Sequence, residues 1–310
     1  GQLNGMRENV ATPYLEKKGL GARKGVFLGE DGKTTCIPAF DVDGKLWTMQ
    51  YIQEYGTKRF AKNGRKEGCF TVAGGGMDAM RNAPAIVIAE GYATAGSISD
   101  GIAAPVVAAF DSGNLMAVAK ALHDKYPDKA VIVAGDDDQH LLDNPRVRRN
   151  VGREKAEMAA EAVGGKAVFP LFAPGEREKD CAGFTDFNDL GTKSKFGMAA
   201  VERQLKPTIE KAITEKVKEL ERNKQQERSR SEGMERLWKN AKRLRNRRKS
   251  GSGNSISART RRRRHGRYWT QSVRNWMCRG TRWNLILMRL NCAGRSERMP
   301  LMRKMPSKQH

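Results

Sequence analysis

The sequence predicts an α/β fold: a parallel sheet flanked by helices, preceded by a small mixed α+β subdomain and followed by a helical, basic tail. Three observations predict it. Short apolar runs alternate with helix-compatible stretches between residues 83 and 190. Before them, two segments of alternating apolar residues flank a D-G turn. The positive charge is gathered almost entirely at the far end of the chain. At 310 residues there is room for one or two domains with a substantial core.

Residues 1–82 read as the small mixed unit. Thr12-Pro13 is an N-cap followed by a first-turn proline, and predicts a short helix ending at Gly19. TTCIPAF (34–40) and KLWTMQYIQEY (45–55), joined through Asp41-Val42-Asp43-Gly44, predict a β-hairpin. A basic loop follows, with Lys58, Arg59, Lys62, Arg65 and Lys66, and then GCFTVAGGG (68–76) as a further strand and glycine turn. Gly74-Gly75-Gly76 lacks the G-K-[ST] ending that a phosphate-binding NTPase loop requires.

Residues 83–194 have the rhythm of a doubly covered sheet. PAIVIAE (84–90) ends on a carboxylate and runs into the helix-compatible GYATAGSISDG. APVVAAF (104–110) is followed by Asp111-Ser112-Gly113, which caps a helix through about Tyr126. KAVIVAG (129–135) ends on Asp136-Asp137-Asp138. A polar insertion, residues 139–150, precedes a helix over GREKAEMAAEAVGG, and KAVFPLF (166–172) is the fourth run. Ile86, Val87, Ile88, Val106, Val107, Val131, Ile132 and Val133 are the expected core. In such sheets ligands bind beyond the carboxyl ends of the strands, which is where Glu90 and Asp136–Asp138 fall.

Those carboxylates suit hard, oxygen-seeking cations such as Mg²⁺ or Mn²⁺, which can clamp the attacking and leaving oxygens of a phosphoryl transfer. Alternate residues of an extended segment point the same way, so Asp136 and Asp138 can share a metal while Asp137 faces elsewhere. Taken alone, G-D-D-D-Q also reads as a solvent-exposed turn. Glu90 after one strand, D-x-D after another and DFNDL (186–190) after a fourth weigh against that. His123 and His140 have no metal-ligand spacing.

The net charge of +23 makes nucleic acid the default partner and an anionic membrane surface the runner-up. Residues 231–310 hold 23 Lys+Arg against 3 Asp+Glu, and the rest of the chain 35 against 32, so the basicity belongs to the last quarter. Residues 195–231 predict a charged helical extension with a bend at Pro207. Residues 232–310 read as a basic, low-order tail carrying Trp238, Trp269, Trp276 and Trp283 beside Arg261–Arg264. Three readings stay open for it: an arm stacking single-stranded bases on its rings, a solvated tail, or the product of a frameshift. The five cysteines are odd in number and form no C-x-x-C pair, which argues against a zinc ribbon or a disulfide scaffold and suits a reducing cytoplasm. No apolar run is long enough to span a membrane. The start at Gly1 without Met leads us to expect a piece of something longer.

V-I-A-E-G-Y (87–92) followed by G-D-D-D (135–138) resembles the TOPRIM domain of bacterial primases, topoisomerases and related nucleases. The longer E-G-Y-A-T-A-G-S (90–97) is similar to the EGYATA signature of the TraC-type DNA primases of conjugative plasmids, and the match covers about residues 10–192. GREKAEMAAE resembles the helix after D-x-D in bacterial primases, and DFNDL their third acidic motif, with Asn188 at a position that is often acidic. The 139–150 insertion departs from the replicative primases. The resemblance implies a DNA primase making short RNA primers on single-stranded DNA from ribonucleoside triphosphates, in plasmid conjugation or replication, with Mg²⁺ or Mn²⁺. It implies that Glu90 is a metal ligand or the general base for the primer hydroxyl. Asp136 and Asp138 would hold one or two metals, and Asp186 and Asp189 would be metal-linked or structural carboxylates. Lys58, Arg59, Lys62, Arg65 and Lys66 correspond to a template- and nucleotide-contacting region. Arg146, Arg148, Arg149 and Arg153 would neutralise phosphate if they reach the site. No membrane partner is implied, and the resemblance leaves room for upstream zinc-binding, relaxosome or helicase partners that these residues do not encode. A TOPRIM nuclease and a non-catalytic single-strand-binding protein are the alternatives. A topoisomerase is excluded, because its large gate domain has no room in this chain.

Overall fold

The structure, a computed structural model, describes residues 5–250 and side chains through residue 247. The three readings of the tail beyond residue 250 lie outside the described residues. The chain divides into two units, Gly1–Arg236 and Leu237–His310, and the first holds both sheets.

The chain begins with β1 (Arg7–Glu8), α1 (Pro13–Lys17), β2 (Phe27–Leu28), β3 (Thr35–Phe40), β4 (Leu46–Ile52) and β5 (Lys58–Phe60). The five strands form an antiparallel sheet in chain order. Thr12 caps α1 as expected: its hydroxyl oxygen accepts from Leu15 N at 3.3 Å and from the Thr35 hydroxyl at 2.7 Å, tying the helix to β3. The predicted hairpin is β3–β4. Its turn closes through Gly44 N donating to Asp41 O, with Gly44 at φ +86°, a conformation that glycine adopts without strain.

The second sheet contains β6 (Thr71–Ala73), β7 (Ala85–Ala89), β8 (Val106–Ala108), β9 (Ala130–Ala134) and β10 (Lys166–Val168), in the order β10-β9-β7-β8-β6. All neighbours are parallel except β6, which runs antiparallel to β8. Sequence reading assigns the 71–73 strand to the small N-terminal unit, but it is an edge of the central sheet. The reason is its pairing with β8, while a two-residue bridge ties the sheets together: Phe40, at the end of β3, and Phe70, just before β6, exchange N–H···O bonds at 2.8 Å in both directions.

Helices α2 (Gly76–Asn82), α3 (Tyr92–Ile102), α4 (Leu115–Lys125) and α5 (Val151–Glu161) connect the strands of this sheet. The five residues of β7 are all buried, alternating between two cores: Ala85, Val87 and Ala89 belong to one, Ile86 and Ile88 to the other. The first core is shared with the N-terminal unit and α3, the second with α4 and α5. The expected core residues are all buried. After β10 come α6 (Glu176–Lys179), α7 (Phe187–Thr192) and α8 (Met198–Ser250). Helix α8 continues through Pro207 and 19 residues beyond the expected boundary at 231, to Ser250. Residues 232–247 are rich in Arg, with Lys, Glu and Leu, good helix formers, yet nearly all are exposed. Met234, Leu237, Trp238, Ala241 and Leu244 recur at helical spacing, so the stretch carries a helix signal that its basic composition obscures.

Buried Asn114 joins the N-terminal unit to the sheet. Its side chain donates to Cys69 O (2.9 Å) and Ala109 O (2.8 Å) and accepts from Gly68 N (2.9 Å). Asn114→Ala is expected to lower the unfolding free energy by about 2–4 kcal/mol, because two buried carbonyls and the half-buried Gly68 N–H lose their partner. Urea denaturation monitored by circular dichroism measures this, and a loss within error of zero would show that the backbone groups find other partners.

Candidate active site

Three strands and one late helix deliver the acidic residues. Glu90 follows β7, and Gly91, the next residue, is the N-cap of α3. Asp136, Asp137 and Asp138 follow β9 and Gly135. Asp111 follows β8 by way of Phe110, a non-glycine residue held at φ +77°, a strained conformation of the kind that clusters at functional sites. Asp186 is the N-cap of α7.

The D-x-D segment is fixed by its backbone. Gly135 N donates to Val168 O (2.9 Å), Asp137 N to Thr185 O (2.8 Å) and Asp138 N to the Asn150 side-chain oxygen (2.9 Å). The same Asn150 oxygen accepts from Arg153 N at 3.2 Å and so caps α5. Asp138 in turn accepts from Gly152 N at 3.0 Å. The first turn of α5 therefore abuts the acidic segment. A Cβ on Gly152 would lie 2.7 Å from Asp136 O and 2.8 Å from Asp138 Oδ2, and one on Gly135 would lie 2.4 Å from Ala156 Cβ. Both contacts demand glycine.

Burial raises the Glu90 carboxyl to about 7, with the nearby Asp138 and Asp111 charges adding to the shift and Lys58 opposing it. Asp136 is pushed well above the usual carboxylate range, first by burial and then by Asp186, Glu90 and Asp138. Asp186 is also raised by burial and by Asp189. Glu90, Asp136, Asp138 and Asp186 are thus near enough to repel one another, and Lys58 is the cation that faces Glu90 and Asp136. Among the described residues no three His, Cys, Asp or Glu side chains converge as a ready-made metal cage. However, Asp136 Oδ1 is buried with no hydrogen-bond partner. An orphaned anionic oxygen amid mutually repelling carboxylates fits a divalent cation, and Asp136, Asp138, Glu90 and Asp186 are the residues able to hold it.

Asp189 is differently engaged. Its Oδ2 accepts from Thr185 N (3.1 Å) and Asp186 N (3.4 Å), its Oδ1 pairs with Lys193 at 2.7 Å, and its own N–H donates to Asp186 Oδ1 at 2.8 Å. This capping box assigns Asp189 to the start of α7. Asn188 is buried and donates to Lys18 O and the Ser97 hydroxyl, both at 2.8 Å.

The expected basic contacts separate sharply. Lys58 approaches the acidic residues, its Nζ 3.9 Å from where a Gly91 Cβ would stand. Lys66 pairs with Asp111 at 2.5 Å. Arg59 lies over Tyr51, and Arg65 pairs with Asp41 and stacks on Trp47. Arg149 pairs with Glu154, and Arg153 with Asp137 and Glu157. Lys62, Arg146 and Arg148 are exposed. Sequence reasoning missed Asp111, Thr94, whose hydroxyl donates to Asp186 at 3.1 Å, and Arg177, which pairs with Asp137 at 2.6 Å. Asn150 carried a legible signal, an Asn just ahead of a helical run. Arg177 carried none, because its partner is 40 residues away.

Residues 85–194, the parallel sheet with Glu after one strand, D-x-D after another and an acidic N-cap beyond, match the Toprim domain family. Over 165 residues the chain is 63% identical to a DNA primase TraC of Escherichia coli, a stretch covering 53% of this chain and 11% of that protein. A second E. coli DNA primase TraC is 46% identical over 256 residues, 65% of this chain and 24% of that protein. The chain therefore spans a quarter or less of the curated relatives it matches, and the resemblance to TraC-type Toprim primases is borne out. Among solved structures, the primase fragment of the bacteriophage T7 primase-helicase is similar at 15% identity, with 59% of this chain and 68% of that chain covered and a TM-score of 0.38.

Gly152→Ala is expected to displace the Asp136–Asp138 segment and weaken Mn²⁺ binding roughly tenfold or more, as outer-shell changes at metal sites do. Titration followed by the Mn²⁺ electron paramagnetic resonance signal measures it. Unchanged affinity in a folded variant would show that the close approach of α5 does not shape the site.

Proposed function

We propose that this chain supplies the catalytic core of a DNA primase, joining ribonucleoside triphosphates on a single-stranded DNA template in plasmid conjugation or replication, in the cytoplasm. One observation carries the reading: Glu90, Asp136, Asp138 and Asp186 are gathered at the carboxyl ends of the sheet inside E-G-Y-A-T-A and G-D-D-D. Similarity to the two TraC primases supports this reaction over strand cleavage or passive coating of single strands.

In primer synthesis the 3′-hydroxyl oxygen bonds to the α-phosphorus of the incoming nucleotide, the bond to the bridging oxygen of the β-phosphate breaks, and pyrophosphate leaves. The hydroxyl proton must go to a base. Glu90, at the mouth of the sheet, is the candidate to receive it on a carboxylate oxygen. Asp136 and Asp138, with Asp186 behind them, would hold Mg²⁺ or Mn²⁺, which supplies charge neutralisation at the attacking and leaving oxygens when bound. Lys58 and Lys66 bring positive charge from the N-terminal unit to the same edge, where it favours a triphosphate or template phosphate. Lys62, Arg146 and Arg148 are exposed, and they are near in sequence to the segments that reach the site.

Template-directed synthesis with labelled ribonucleotides tests the proposal. Glu90→Gln and Asp136→Asn are each expected to reduce product formation by about a hundredfold or more. If both variants match the parent, catalysis at this site fails. Cleavage of the single strand without nucleotide incorporation would replace the primase reading with a nuclease.

A further inference from the structure

The middle aspartate of G-D-D-D faces away from the acidic mouth and into protein. Asp137 is 3% exposed, the least accessible carboxylate of the three. Its Oδ1 accepts from Asn150 Nδ2 at 2.6 Å and Arg153 Nε at 3.1 Å, and its Oδ2 from Arg177 Nη1 at 2.6 Å. Burial alone would raise its pKa. The hydrogen bonds from Arg153, Arg177 and Asn150 outweigh burial and hold it below the usual carboxylate range. Both guanidinium groups are themselves braced by rings, Arg153 over Phe169 at 3.9 Å and Arg177 over Phe172 at 4.7 Å. Arg177 Nε also donates to Phe184 O at 3.1 Å, one residue before the Thr185 carbonyl that receives Asp137 N.

We infer that Asp137, clamped between Arg153 and Arg177, is a positioning residue that sets Asp136 and Asp138 against Asp186. The covalent logic is short. Asp136 and Asp138 are the immediate neighbours of Asp137, so fixing its carboxylate and its amide fixes the direction in which theirs project. The carboxylates at the mouth repel each other and would spread if the segment were slack. Arg177 belongs to the same connection that leads to Asp186, so one guanidinium ties the two acidic segments together. A buried ion pair need not stabilise the fold relative to apolar residues, and its best-attested use is to enforce one arrangement over others.

The inference rests on the Toprim site being a cation site, and its consequence is distinguishable from simple electrostatics by sign. Removing Arg177 removes a positive charge near several carboxylates, so charge alone predicts tighter cation binding. Positioning predicts weaker binding. In the full chain, Arg177→Ala is expected to weaken Mn²⁺ affinity about tenfold, and Arg177→Lys, which keeps the charge but loses the planar fork, to recover part of it. Hydrogen exchange supplies a readout independent of metal: the amides of Asp137 and Asp138 are expected to lose protection in Arg177→Ala, while those of β7 keep theirs. Equal or tighter Mn²⁺ binding by a folded Arg177→Ala chain would overturn the inference, as would unchanged protection of the two amides. If the unmutated chain binds no Mn²⁺, the cation reading of the site falls, and the exchange result alone still decides whether the clamp exists. Should Arg177→Ala fail to fold, Arg177→Lys carries both measurements, with loss of amide protection supporting the clamp and full retention of protection and affinity overturning it.

Discussion

Carboxylates that repel one another have to be held together by something other than their own interactions. Here Glu90, Asp136, Asp138 and Asp186 meet, burial raises the cost of charge on Glu90, Asp136 and Asp186, and the surrounding structure opposes their separation. Apolar strands bring the carboxyl ends of β7 and β9 into register along five residue pairs, Ala85 with Ala130 through Ala89 with Ala134. Beyond the last pair there is no ladder, and the backbone is held instead by individual bonds to Val168, Thr185 and Asn150. The site begins where regular structure ends, so its geometry depends on a few specific polar contacts rather than on the general adhesion of the core.

The small N-terminal unit belongs to this arrangement physically as well as by proximity in sequence. The Phe40–Phe70 bridge hydrogen-bonds one sheet to the other, and β6 completes the edge of the central sheet. Phe60 meets Phe110 edge to face at 5.3 Å, which sets the end of β5 against the end of β8. Lys58 and Phe60 belong to the same three-residue strand, so the ring contact and the approach of the Lys58 ammonium to Glu90 are one event. Lys66 with Asp111, and Asn114 with Gly68 and Cys69, repeat the connection a few residues along.

How much of this the sequence disclosed follows from the kind of force involved. The strands β7, β8 and β9 were legible because burial on both faces writes an apolar run directly into the residues. Glu90 and the D-x-D pair were legible because strand ends are where such sheets bind ligands, and E-G-Y-A-T-A made the setting specific. The role of β6 was not legible. Thr71-Val72-Ala73 reads the same whether it pairs within the first sheet or with β8, and a long-range pairing selects between them. Nor could Asp189 be separated from Asp186 by composition, since the capping box depends on which oxygen meets which N–H. Several arginines drew attention through charge alone, yet Arg65 and Arg153 are occupied by Asp41 and Asp137.

That occupation bears on how a polyanion could approach. Residues 1–230 hold 35 basic against 32 acidic side chains, almost balanced, and the cluster at the sheet ends is locally acidic. A template strand or triphosphate brought to it meets repulsion from the carboxylates unless positive charge is already present. Two of the nearby arginines, Arg153 and Arg177, are directed at buried Asp137 and stacked on phenylalanine rings, an arrangement that uses their charge inside the protein. The cation that acts on Glu90 and Asp136 comes instead from the N-terminal unit: Lys58. On the proposed reading, a divalent metal held by these carboxylates would have two tasks in one place: it would neutralise them enough for phosphate to approach, and it would supply the positive charge that the reacting oxygens require. On that reading metal and nucleotide binding would be linked at this site, each incomplete without the other, and the acidity of the pocket would serve the metal rather than obstruct the nucleic acid.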